Sequence, residues 1–262
     1  MRRRGSFDIQ KSVFKAFLSR ELKTRFGRFK LGFFWAVIEP LSHVIVLSVL
    51  FSFLRDKNNF FGIPFPTFFA TGIIAFFAFQ KVLIISIASI KVNLGLFIYR
   101  QVKPIDAIMV RALLQFFIYL VVVAILIFIG HWFFGLNTLP HDPLRSLFVF
   151  FLLFLMGLGF GFMTAVIGVI YEEWSQFITL TTRPLYFISG IFFPLAVLPI
   201  EVHSYLLWNP ILHGVEEFRK SWIIGYPSEN TSLLYLIIFT LIVFMVGLSY
   251  YRKNRFKILM QH

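Results

Sequence analysis

Three ionisable side chains stand inside stretches otherwise apolar enough to cross a bilayer: Glu39, Lys81 and Arg183. A charge at membrane depth is costly, so it is ordinarily paired or turned towards water. Each lies ~10 Å in from the same end of its span at helical rise. That common level predicts a salt bridge from Glu39 to Arg183 or Lys81 at the inner mouth of a pathway. The alternative is that Lys81 and Arg183 extend their stems to reach the headgroups.

Other chemistries fail on spacing. Glu201, His203, His213 and Glu216 include metal-ligating types, but no HExxH or comparable pattern holds them, so no metal site is expected. No Ser-His-Asp arrangement or paired catalytic carboxylate stands out, and no catalytic residue is expected. Adjacent Glu172 and Glu173 would point about 100° apart on a helix, as in an interfacial turn. A membrane-embedded enzyme acting on lipid-linked sugars would have only Glu201, Glu216 and Glu217 to use. No GxxxxGK[ST] phosphate loop occurs, so the chain does not hydrolyse ATP itself. Transport would then need an ion gradient or a separate ATPase. The lack of a carboxylate relay beyond Glu39, and of an obvious inverted repeat, weakens the ion-driven option.

The elements that must position these residues are membrane helices. With 58% hydrophobic residues over 262 positions and a mean hydropathy of +0.82, an ordinary soluble domain is excluded. The chain lacks Cys, which removes disulfides and thiolate metal sites. No cleavable signal peptide is evident. Residues 1–31 read as a basic interfacial helix: Phe14, Phe17, Leu18, Leu22 and Phe26 recur at helical spacing among ten Lys/Arg. Six spans follow, at about 32–54, 65–88, 112–134, 146–170, 177–198 and 233–250. A turn-rich charged segment, 91–111, joins the second to the third. A basic tail, 252–262, closes the chain.

The segment from Phe177 to Arg219 begins as a span but is interrupted by Pro184, Pro194 and Pro199, and its second apolar piece is too short and polar to cross again. Broken backbone at membrane depth needs protein or a water-filled cavity around it, so residues 199–231 read as re-entrant elements lining a passage. Among the aromatics, Tyr186, Phe187, Phe192, Phe193, Tyr205 and Trp208 lie on this broken stretch, where ring faces could stack on sugars; most others face lipid or pack in the bundle. Gly157, Gly159 and Gly161 mark a close helix contact in the fourth span.

Eighteen Lys/Arg fall in the termini, the second-to-third connection and the fourth-to-fifth turn, against five in the opposite loops. The positive-inside rule therefore places both termini in the cytoplasm. The charge excess, +13 overall, is explained by topology and anionic lipid and calls for no nucleic acid.

Residues 20–35, Arg20-Glu21-Leu22-Lys23-Thr24-Arg25-Phe26-Gly27-Arg28-Phe29-Lys30-Leu31-Gly32-Phe33-Phe34-Trp35, with Glu39-Pro40-Leu41 beyond, resemble the N-terminal signature of ABC-2 type exporter permeases. Leu207-Trp208-Asn209-Pro210 with His213, Glu216 and Arg219 is similar to the same family. More narrowly, Asn93-Leu94-Gly95-Leu96-Phe97-Ile98-Tyr99-Arg100, then Val102-Lys103-Pro104-Ile105-Asp106, and Arg183-Pro184-Leu185-Tyr186-Phe187-Ile188-Ser189 resemble inner-membrane permeases of group 2 capsular polysaccharide exporters. The resemblance covers nearly the whole chain; Gln101 departs from it, where Pro is expected.

It implies an all-α, six-span, homodimeric permease of the bacterial inner membrane with two separate ATPase subunits that bind the ATP and Mg. The cargo implied is a lipid-linked acidic polysaccharide, passed to a periplasmic co-polymerase-type adaptor and an outer-membrane exporter. Tyr99, Arg100, Val102, Lys103, Pro104, Ile105 and Asp106 would form the coupling helix that engages the ATPase. Arg25, Arg28, Arg100 and Arg183, with Glu39 and Lys81, would frame a charged channel entrance. Trp35, Tyr186, Phe187, Phe192 and Phe193 would be channel aromatics. Tyr205, Trp208, Asn209, Pro210, His213, Glu216 and Arg219 would belong to the periplasmic gate. A related permease for O-antigen, teichoic acid or another lipid-linked glycan would share the N-terminal signature.

Overall fold

A computed structural model describes residues 5–26, 32–54, 59–99, 101–136, 138–171, 173–228 and 230–260. In chain order these form α1 (Ser6–Phe26), α2 (Gly32–Leu54), the strands β1 (Asn59–Phe60) and β2 (Ile63–Pro64), α3 (Phe65–Ile87), α4 (Pro104–Phe134), α5 (Pro143–Ile170), α6 (Trp174–Ile188), α7 (Ile200–Leu206), α8 (Pro210–Trp222) and α9 (Leu233–Met260). Short 3-10 turns occupy Lys91–Leu96 and Leu195–Val197. Five helices, α2, α3, α4, α5 and α9, are long and apolar enough to cross a membrane.

The centre of the bundle is α3 packed on α5. In their most apolar windows 72% and 67% of residues are buried, against 11% in α2 and 17% in α9, which form the flanks. Glycines permit the central contacts. A Cβ at Gly157 would sit 2.5 Å from the Phe79 carbonyl oxygen on α3, and one at Gly159 would sit 2.8 Å from Phe244 Cα on α9. The backbones therefore approach as the small-residue face in the fourth span predicts. A knot of phenylalanines, Phe60, Phe65, Phe68 and Phe69, fills one end of the core. Above it β1 and β2 form a hairpin whose turn residues, Phe61 and Gly62, both take positive φ, as a two-residue primed turn requires.

Proline and short polar residues set the starts of helices. Pro104, Pro143 and Pro210 are first residues, where the missing N–H costs nothing. Asp142 and Asn209 cap α5 and α8 by accepting from the backbone N–H groups of Arg145 and Ile211, each at 3.0 Å. Helix boundaries accordingly differ from the expected ones at the start of α4, and α9 runs further than expected at its end. The helix expected at 112–134 starts at Pro104 and runs 31 residues, ~46 Å, so part of the supposed connection 91–111 is its first two turns. The basic residues Arg252, Lys253 and Arg255, placed in a tail, continue α9, which reaches Met260.

The larger difference concerns residues 177–198, which are not one continuous helix. Helix α6 has 15 residues, ~22 Å, and is shorter than the hydrocarbon thickness. Pro184 lies inside it without ending it. The stop comes at Ser189 and Gly190, the latter at φ +74°, a conformation glycine adopts freely. Pro194 and Pro199 then precede the Leu195–Val197 turn and α7 as their N-caps.

Candidate functional site

The broken segment is held by α8. Arg219 and Glu216, one turn apart on that helix, are fully buried and paired at 3.1 Å. The Arg219 guanidinium also donates to the carbonyl oxygens of Gly190 at 2.5 Å and Ile191 at 3.1 Å, and lies 3.7 Å from the centre of the Phe68 ring on α3. These acceptors belong to the irregular chain just beyond the end of α6. Gly72 on α3 leaves the space the guanidinium occupies, because a Cβ there would overlap its terminal nitrogen. The Tyr226 hydroxyl donates to Glu216 at 2.9 Å, completing the cluster. Unpaired backbone at membrane depth is expensive; a buried cation surrounded by carbonyls satisfies it.

A second set of contacts fixes the other face of α8. Arg145 at the start of α5 pairs with buried Glu217 at 2.6 Å, and the Thr231 hydroxyl donates to Glu217 at 3.0 Å. The Trp222 indole N–H donates to the Thr138 carbonyl oxygen at 2.9 Å. His213 uses both ring nitrogens: Nε2 lies 2.9 Å from the Leu207 carbonyl oxygen and Nδ1 accepts from the Ser232 N–H at 3.0 Å. Burial lowers its pKa from the usual 6.5, against the opposing pull of the Leu207 carbonyl and Glu217, so the neutral ring with one donor and one acceptor fits. His203 is likewise engaged, with Leu198 and Asn230. Among the described residues no cluster of three metal-ligating side chains occurs.

The expected gate residues thus divide. His213, Glu216 and Arg219 are buried bolts, and Asn209 joins α8 to the end of α6 through the Ile188 carbonyl and Ser189 hydroxyl. Pro210 begins α8. Tyr205 on α7 and Trp208 in the turn after it are 81% and 79% exposed, as is Ile200 at the start of α7.

At the charged level Lys81 on α3 pairs with Glu39 on α2, and its ammonium lies 5.0 Å from the centre of the Phe77 ring. Arg183 is exposed on α6 and pairs with no carboxylate among the described residues. Beyond this pair, Tyr186 on α6 meets Phe76, Phe77 and Phe192, with Phe187 stacked on Phe192 at 5.0 Å. The Tyr186 hydroxyl is buried without a hydrogen-bond partner among the described residues. Phe187 is exposed, Phe193 is half-buried, and Trp35 on α2 is exposed. The residue missed from sequence is His43. It stands one turn beyond Glu39, donates from Nδ1 to the Glu39 carbonyl oxygen at 2.8 Å, and sets its ring edge against Phe77 and Tyr186. A second polar side chain at i+4 in the first span was the available signal.

At the opposite end from α7, α1 is fastened to the start of α4. Gln10 donates to Asp106 at 2.5 Å, Arg20 to Asn93 at 2.7 Å, and Arg111 pairs with Glu21 at 3.0 Å. Phe17, Ala107 and Val110 fill the space between the helices. Asp106 is buried and accepts from the Lys103 backbone N–H at 3.0 Å, while the Ile105 N–H donates to the Tyr251 hydroxyl on α9 at 2.9 Å. Pro104 is buried and Val102 half-buried. The outward surface of this junction is Ile98, Tyr99, Gln101 and Lys103. The Arg25 side chain, Arg28 and Arg100 lie outside the described residues.

A family model described as ABC-2 type transporter matches residues 12–223. The polysialic acid transport protein KpsM of Escherichia coli is 40% identical over 251 residues, which cover 96% of each chain. The capsule polysaccharide export inner-membrane protein BexB of Haemophilus influenzae is 30% identical over 93% of this chain and 91% of its own. The corresponding protein CtrC of Neisseria meningitidis serogroup B is 28% identical over 95% and 93%.

Proposed function

We propose that this chain, which belongs to the ABC-2 type transporter family, is the permease subunit of an exporter that carries lipid-linked capsular polysaccharide across the bacterial inner membrane. The observation that carries this reading is the end-to-end similarity to the polysialic acid transport protein, in which the matched residues include the charged level, the broken segment and the junction of α1 with α4.

In this reading two copies enclose the passage, both termini are cytoplasmic, and two partner subunits bind and hydrolyse ATP with Mg. Ile98, Tyr99, Gln101 and Lys103 present the surface the ATPase engages. Closure of the ATPase pair pushes on a junction stiffened by Gln10–Asp106, Arg20–Asn93 and Glu21–Arg111, so the displacement passes into α4 and α9 rather than dissipating in a loop. Arg183, exposed on α6, draws an acidic, lipid-linked glycan to the inner mouth. Tyr186 and the rings around it form a wall along which sugars slide, since aromatic faces stack without fixing one register. Exposed Tyr205 and Trp208, on α7 and in the turn after it, meet the polymer, or the periplasmic adaptor, as it leaves towards the outer-membrane exporter.

Deleting this chain's gene in the encoding bacterium tests the assignment. The expected result is loss of capsule from the surface with polysaccharide accumulating inside, restored by the wild-type chain. Loss of a different surface glycan, with capsule intact, would assign another cargo; an unchanged surface would reject the function.

A further inference from the structure

The cleft between α2, α3 and α4, at the end of the bundle away from α1, has a volume of about 650 Å³. Val44, Ile74, Leu126 and Ile127 supply its walls, with Trp222 also lining it; among the described residues no Lys, Arg, Asp or Glu lines it. The polar groups that reach it are turned to the protein. The hydroxyls of Ser48, Thr71 and Thr138 donate to the carbonyl oxygens of Val44, Thr67 and Ile127, and the Trp222 indole N–H donates to that of Thr138. Little is left for water, which needs two to four polar partners to occupy a cavity, or for a sugar, whose hydroxyls need the same. The rim residues Ile45, Val49, Phe133 and Phe134 are exposed, and they continue the apolar surface of α2, the span least covered by the rest of the chain.

An empty apolar space of this size forfeits the dispersion contacts its walls would make, and helices of membrane-spanning length such as α2, α3 and α4 present an apolar rim to hydrocarbon in a bilayer. We propose that an acyl chain of a membrane phospholipid inserts between α2, α3 and α4 and rests against Trp222, acting as a structural filler separate from the route of the polymer. Its headgroup stays among the bulk lipids, since the described residues of the cleft offer no charge to hold one.

Bromine on an acyl chain quenches tryptophan only at short range, and Trp222 is 8% exposed, so the cleft is the approach through which a chain reaches it. The full chain with Trp35, Trp132, Trp174 and Trp208 changed to Phe is reconstituted in phospholipid vesicles with or without dibrominated acyl chains. Trp222 is expected to lose most of its emission in the brominated vesicles. Ala70→Phe, or independently Val123→Phe, fills the cleft and is expected to restore the emission. Equal emission in the two kinds of vesicle overturns the proposal, as it would if a helix from a second copy occupied the cleft. Quenching that persists in a folded filled variant overturns it too, because the bromine would then arrive from another side.

Discussion

Arg219 on α8 donates to the carbonyl oxygen of Gly190, the residue at which α6 gives way to irregular chain, at 2.5 Å. One side chain thereby satisfies backbone carbonyls of the irregular chain that follows the end of α6. Removing it strands Glu216 and two carbonyls in the interior.

Arg219→Ala is therefore expected to lower stability by about 3–5 kcal/mol, the range for breaking a buried ion pair. Thermal unfolding of purified protein in detergent measures it. Exchanging both Arg219 and Glu216 for Met removes the stranded charge and is expected to cost less than Arg219→Ala alone. A melting temperature unchanged by Arg219→Ala would show that the cluster does not hold the break.

Gly159 tests the helix contact at the centre of the bundle. A Cβ there meets the Phe244 backbone, which cannot rotate aside, so Gly159→Ala is expected to cost about 1–3 kcal/mol by overpacking. Gly95, with nothing within 4 Å of its would-be Cβ, is the control, and Gly95→Ala should melt with the wild type.

The α1–α4 junction separates two effects that sequence alone would merge. Lys103 and Tyr99 are exposed, whereas Asp106 is buried and bonded to Gln10 and the Lys103 N–H. Lys103→Glu and Tyr99→Ala are expected to reduce export while melting normally, with the partner's ATP hydrolysis no longer answering to polymer. Asp106→Arg is expected to lower the melting temperature, because it places a second cation at a capping site. ATPase assays and thermal unfolding on the same preparations distinguish the two.

For the charged pair, Glu39→Lys faces Lys81 with a like charge and is expected to impair export and membrane accumulation more than Glu39→Gln. The exchange Glu39→Lys with Lys81→Glu should regain part of the loss. Equal tolerance of Glu39→Lys and Glu39→Gln in surface-polymer and immunoblot assays would mean the two residues act separately.

Much of this architecture was legible before any coordinates. Apolar length located the five long helices, and three ionisable residues in spans led to the Glu39–Lys81 pair, because charge in hydrocarbon is rare enough to be informative. The stop of α6 was placed at prolines, whereas Gly190 ends it; proline marks helix starts as readily as ends, and only the backbone geometry tells them apart. The bolts of α8 were out of reach. Arg219, assigned to the gate through the family resemblance, and Glu217, weighed as an enzyme carboxylate, were not read as buried pairs, since their partners Gly190 and Arg145 lie 29 and 72 positions away. Asp106 looked like a docking side chain for the related reason that burial is decided by α1, which returns across it from the far end of the sequence.

The central claim is that this chain conducts acidic, lipid-linked polysaccharide when an ATPase partner drives it. Inverted inner-membrane vesicles containing both subunits, supplied with radiolabelled lipid-linked capsule polymer, measure this directly. ATP-dependent protection of the polymer inside vesicles, present with the wild-type chain and lost with Lys103→Glu, is the predicted result. Polymer that enters equally well in vesicles lacking this chain would contradict it.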